Sequence, residues 1–183
     1  MMRSRWLFGC GLALLMAACA TSPTLDADDA AIYAVVLHDL SSRPDSMLLD
    51  KGVLLVKPES TIVDTEFARP PYEVNDTQCR PSAMLHAAST TRNARKVKIA
   101  KSISASSRWR VATAKEMETP LYMQHETARS IVRLKRPGIS ADRREALMVL
   151  SFLWSEHAAD AVYLLRHDES GWRITCSDLF FHL

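Results

Sequence analysis

Few side chains in this sequence carry reactive or ligand chemistry: four cysteines, Cys10, Cys19, Cys79 and Cys176, and six histidines, His38, His86, His125, His157, His167 and His182. A protein zinc site draws on clustered Cys and His at short, regular spacings. Here the histidines stand singly and no CxxC occurs, so neither a zinc knuckle nor a thioredoxin-type redox site is expected. His125-Glu126-Thr127-Ala128-Arg129 lacks the second histidine of HExxH, and GxSxG and SxxK are both missing. Phosphate binding has no Gly-rich loop to rest on. Glu156-His157 beside Asp160 is the nearest acid and imidazole cluster, and it reads as a polar turn between two strands. No catalytic residue, metal ligand or cofactor is therefore expected.

Binding chemistry is better represented. Residues 26–76 hold eleven acids and four bases, net −7, whereas residues 79–115 hold nine bases and no acid, net +9. Residues 116–183 add ten acids and eight bases, net −2. Within the basic block Arg95 to Ile103 and Arg108 to Ala112 both alternate with the period of a strand. Lys96 and Lys98 then share one face while Val97, Ile99 and Ile103 take the other; Arg108 and Arg110 likewise oppose Trp109 and Val111. Ser104 to Ser107 fits the loop of a hairpin. The expectation is a basic ribbon, with Lys96, Lys98, Arg108, Trp109 and Arg110 meeting a partner such as an acidic protein or anionic envelope lipid. The competing expectation is that this charge complements the acidic first third within the fold. Nucleic acid is excluded as a partner because no RNP or helix-turn-helix pattern accompanies the charge, and the export signal described below points away from it.

Those residues need elements to position them. At 183 residues, 48% apolar and 24% charged, the chain has the composition of one globular domain rather than a disordered, collagenous or coiled-coil protein. Asp26 to Leu40 predicts a helix, with acids Asp26, Asp28 and Asp29 at its favourable end and Ile32, Val36 and Leu40 recurring beside Tyr33 and Leu37. Gly52 to Lys57 and Thr61 to Val63 read as strands, Arg69 to Tyr72 as an extended connector. A helix beginning at Pro81 would use Met84, Leu85 and Ala88 as its apolar stripe. Ile131 to Lys135 precedes a Pro137-Gly138 turn, and Ala146 to Trp154 is a strand covered on both faces. Asp160 to His167 and Trp172 to Ser177 form a hairpin in which Gly171 takes the left-handed conformation. Leu179, Phe180 and Phe181 end the chain as core residues. The fold class expected is α+β: an N-terminal amphipathic helix packed on an antiparallel sheet with a C-terminal β-meander.

The first 18 residues carry Arg3 and Arg5, an uncharged apolar run from Trp6 to Met16, and small Ala17 and Ala18. That is the layout of an export signal, too short for a membrane span. Met16-Ala17-Ala18-Cys19 resembles the lipobox of bacterial lipoproteins, with Met in place of the usual Leu. The resemblance implies cleavage before Cys19 and diacylation of its sulfur, so that acyl chains hold the protein on a membrane. Ala20, in place of the Asp that retains lipoproteins at the inner membrane in enteric-type sorting, implies an outer-membrane anchor facing the periplasm. Residues 19–25 would be the tether and 26–183 a single domain. Cys79 and Cys176 are then the two body cysteines in an oxidising compartment, expected either to form a disulfide or to remain as two buried thiols.

A further resemblance lies in the C-terminal strands. Ser130-Ile131-Val132-Arg133, Pro137-Gly138-Ile139-Ser140-Ala141-Asp142, Arg144 to Val149, Tyr163-Leu164-Leu165 and Gly171-Trp172-Arg173, after Ile32 to Leu37, are similar to a pattern in uncharacterised exported bacterial proteins. These residues describe turns and core strands, and the resemblance implies fold and export only. The Gly171-Trp172 hairpin is also similar to the last strands of NTF2-like domains, which implies a pocket between helix and sheet. Two functions are expected: an envelope lipoprotein acting as a non-enzymatic protein-binding module, like periplasmic inhibitors and immunity proteins of this size, or a small-ligand binder or enzyme with an NTF2-like pocket.

Overall fold

The Asp26 carboxylate accepts the Asp29 N–H at 2.9 Å, an N-cap that starts α1 (Ala27–Ser42). The computed structural model describes residues 26–43, 53–60, 79–99, 103–118, 130–154 and 157–182. The export signal, the tether with Cys19, the expected strand at Thr61 to Val63 and the connector at Arg69 to Tyr72 all lie outside the described residues. Ile32, Tyr33, Val36, Leu37 and Leu40 form one helical face and are fully buried. At about 1.5–3 kcal/mol for each large apolar side chain, packing rather than intrinsic propensity holds this helix. It ends at Arg43, whose backbone is extended, as the residue before a proline must be.

The remaining described elements are β1 (Leu54–Val56), α2 (Ala83–Arg92), β2 (Trp109–Val111), α3 (Ala114–Glu118), β3 (Ser130–Leu134), β4 (Gly138–Ile139), β5 (Glu145–Trp154), β6 (His157–Asp168) and β7 (Gly171–His182). The strands form one sheet in the order β2-β1-β3-β5-β6-β7, with β4 also on β5. The architecture is α+β and its C-terminal half is the expected meander. β5, β6 and β7 pair antiparallel in sequence order, closed by a turn at Gly171, φ +106°. Here glycine suits a backbone that a side chain would strain.

Three expectations are corrected. The sheet is mixed rather than antiparallel, because β1 runs parallel to both β2 and β3. Parallel neighbours need a long crossover, and the connection from β1 to β2 contains α2. The basic ribbon is also not a hairpin. Trp109 to Val111 pairs with β1, while Val97 to Ile99 lies against residues 58–60, with Ser60 N–H donating to Val97 O at 2.8 Å and Ile99 N–H to Pro58 O at 3.0 Å. Alternation in the sequence sorted faces correctly but could not choose strand partners. Finally, the apolar stripe of α2 is not as expected: Leu85 is buried, yet Met84 is 75% exposed and Ser89 takes the inner position.

β5 is covered on both faces. Ala146, Met148, Leu150 and Phe152 face α1 in the principal core, and Leu147 and Val149 face α2 with Leu85 and Val162. The approach of α2 depends on Gly138: a Cβ there would lie 2.5 Å from Leu85 O and 2.6 Å from Ser89 N. Leu55, Ala112 and Ile131, with Met117 from α3, make a smaller cluster on the β1 side.

Candidate partner-binding surface

Of the five residues expected to meet a partner, three are engaged within the fold. Arg108 Nη1 donates to Ser41 O at 2.8 Å, satisfying a free carbonyl at the end of α1 and placing a cation where the helix dipole favours one. Arg110 forms a two-pronged pair with Glu116. That hydrogen bonding, together with the Thr113 N–H, holds the Glu116 carboxyl down to about 2 and raises Arg110. Trp109 is half-buried against the principal core, donates from Nε1 to Ser104 O at 3.1 Å and meets His38 edge-on.

Lys96 and Lys98 behave differently. Val97 and Ile99 point inward and are buried, so the two lysines project outward, exposed. Pairing of this segment with residues 58–60 sets them beside the end of β1. There Lys57 N–H donates to Val132 O at 2.9 Å, placing Lys57 next to Arg133 of β3. Arg133 is the one exposed residue of its strand. Lys57, Lys96 and Arg133 thus converge from three segments, with no salt bridge to any described residue. Partial burial, then the nearby Arg133 and Lys96, push the Lys57 ammonium below its ordinary value, with Glu59 opposing. Lys57 and Arg133 were not recognisable from the sequence, since neither belongs to the basic block and only the β1–β3 pairing unites them with it.

The other missed constellation is buried and polar. Asp29, fully buried, accepts from Arg136 Nη2 at 2.9 Å and from Arg92 Nη2 at 2.8 Å. Arg92 also reaches Asp26 at 2.9 Å. Asn93 locks the arrangement, its Oδ1 accepting the Arg136 N–H at 2.6 Å and its Nδ2 donating to Arg136 O at 2.8 Å. Burial pushes the Asp29 carboxyl above the usual range even though both guanidinium groups pull it down. With its polar atoms satisfied, this network joins α1, the end of α2 and the β3–β4 connector. Neighbouring Asp28 accepts from Arg143 and, at 3.2 Å, from Trp172 Nε1. Together these contacts realise, for Arg92, the competing expectation that basic-block charge answers the acidic first third.

Cys79 and Cys176 are joined as a disulfide, their Cα atoms 5.4 Å apart, so the free-thiol alternative is set aside. The bond ties the segment before α2 to β7. His157 and Asp160 sit in β6 rather than in a turn. The space between α1 and the sheet, where an NTF2-like pocket would open, is filled by core side chains including Tyr33, Phe152 and Tyr163. A cavity of about 820 Å³ lies instead at the rim, an open groove lined by Asp28, Arg143, Arg144, Arg166, His167 and acids of the neighbouring turns. Among the described residues no three His, Cys, Asp or Glu side chains converge as a metal site, and no helix is long and apolar enough to cross a membrane. No family model, no curated protein and no solved structure matches the chain.

Proposed function

We propose that this chain is a lipoprotein of the bacterial cell envelope, held by acyl chains on Cys19 and, by the Ala20 criterion, stationed on the periplasmic side of the outer membrane, and that its folded domain is a non-enzymatic binding module. The observation that carries the binding reading is the cationic cluster of Lys57, Lys96 and Arg133, with Lys98 beside it. Like charges held together with no salt bridge to a described residue, and with Glu59 offsetting them only in part, cost stability within the isolated domain. That cost is offset when a negatively charged partner arrives. The disulfide supports export, since such bonds persist in oxidising compartments. A protein partner with an acidic surface, as in the inhibitor and immunity-type analogy, is one form of this reading.

Arg108 and Arg110 are unsuitable for testing the surface because reversing either would break contacts that hold the fold. Reversal of Lys96→Glu, Lys98→Glu and Arg133→Glu touches only exposed side chains. With the full chain expressed in a bacterial host, wild type is expected to incorporate labelled palmitate and fractionate with the envelope, and Cys19→Ser to lose the label. Capture of a partner from envelope extract should fall at least about tenfold in the triple reversal, the loss of roughly 1.4 kcal/mol of binding. An unlabelled wild type would overturn the anchor, and unchanged capture would overturn the surface.

A further inference from the structure

We infer that the cationic cluster docks the domain onto anionic phospholipid headgroups of the membrane that carries its anchor. This rests on the envelope-lipoprotein reading and names the partner of the same surface. The first argument is position. Asp26, where the chain enters the fold, lies 2.9 Å from Arg92, the last residue of α2. Arg95, Lys96 and Lys98 follow within six residues of that helix end. Only six residues separate Cys19 from Asp26, a span of at most about 25 Å when fully extended. An acylated Cys19 therefore keeps this side of the domain within reach of the headgroups.

The second argument is charge. The acids at the same entry point are already committed: Asp26 to Arg92, Asp28 to Arg143, and Asp29 to Arg92 and Arg136. Lys57, Arg95, Lys96, Lys98 and Arg133 make no salt bridge with a described residue; Glu59, which pairs opposite Lys98 and acts on Lys57, offsets one of these five charges and leaves the patch net cationic. Exposed lysines and arginines near an anionic bilayer gain attraction that fades within a Debye length, so proximity through a short tether is what makes them effective. The cluster spans three segments fixed by backbone pairing and buries Val97 beneath it. It therefore presents its charges on a set surface rather than on a loose tail.

The test uses the protein purified from membranes and returned to vesicles, either of phosphatidylcholine alone or with a quarter phosphatidylglycerol. The mass of its N-terminal peptide reports whether Cys19 is acylated, independently of docking. Acetylation of Lys57, Lys96 and Lys98 is then followed by mass spectrometry, with exposed Lys115 as reference. Docking predicts rates at these lysines roughly fivefold lower in the anionic vesicles, recovering at about 0.5 M salt, with Lys115 unchanged. In the Lys98→Glu/Arg133→Glu variant the protection of Lys57 and Lys96 should disappear. Equal rates in both vesicles on an acylated protein would overturn the docking and leave the anchor standing. Protection by an added acidic polypeptide but not by vesicles would overturn it in favour of an acidic protein partner.

Discussion

Asp29 is one buried carboxylate shared by two guanidinium groups, and its worth lies in completeness. Removing one partner of such a set leaves the others buried and underpaired, which typically costs about 3–5 kcal/mol. Arg136→Leu is expected to lower unfolding free energy in urea at neutral pH by about 3 kcal/mol. The pH dependence has a definite sign. Asp29 in the folded protein already holds its proton more tightly than the ordinary carboxyl at 3.8. Its contribution is thus present below 3.8 and lost as pH rises through the folded value. Without Arg136 that value climbs further, so the variant's deficit should shrink on going from pH 7 to pH 4; a deficit that stays constant or grows would show that Asp29 does not feel Arg136. Read from sequence alone, Asp29 was one of three acids favouring a helix start, and Arg136 had no evident role. They meet across a sequence separation of 107 residues, and no local pattern encodes it.

At the scale of elements, legibility followed the range of the interactions. α1 was readable because its cap, its apolar stripe and its proline stop all lie within one segment, and the β6–β7 hairpin because Gly171 marks its turn. The two-sided burial of β5 showed in its near-unbroken apolar run. The pairing of β2 with β1, and of residues 97–99 with 58–60, was not readable, since alternation assigns a face and is blind to the neighbour. The candidate surface suffered the same limit: the sequence found Lys96 and Lys98, counted Arg108 and Arg110 with them, and passed over Lys57 and Arg133. α2 shows how contact geometry overrides propensity. Its residues Ser89, Thr90 and Thr91 favour helix poorly, yet the helix seats its backbone on Gly138. Gly138→Ala would drive a methyl into Leu85 O and Ser89 N, and overpacking of this kind costs about 1–3 kcal/mol. A thermal midpoint unchanged from wild type would show that α2 can shift outward freely.

For the molecule as a whole, the Cys79–Cys176 bond spans a sequence separation of 97 residues. In the chain-entropy account a closure of that length stabilises by about 4.7 kcal/mol. Urea titration of the native protein with and without a thiol reductant should show a difference of that order, with the Cys79→Ser/Cys176→Ser variant matching the reduced form. Coincident curves would assign the bond no thermodynamic role.

The same bond has a consequence for survival wherever endopeptidases reach the protein. The stretch it encloses contains α2, α3 and the strands β2 to β6, and the chain is exposed at several points along it, the 140–145 turn and the 168–170 tip among them. A peptidase that cuts once at any of these places produces two pieces that remain covalently one particle. Such a nicked protein would run as a single band until its cystine is opened, and neither piece could diffuse away from the other.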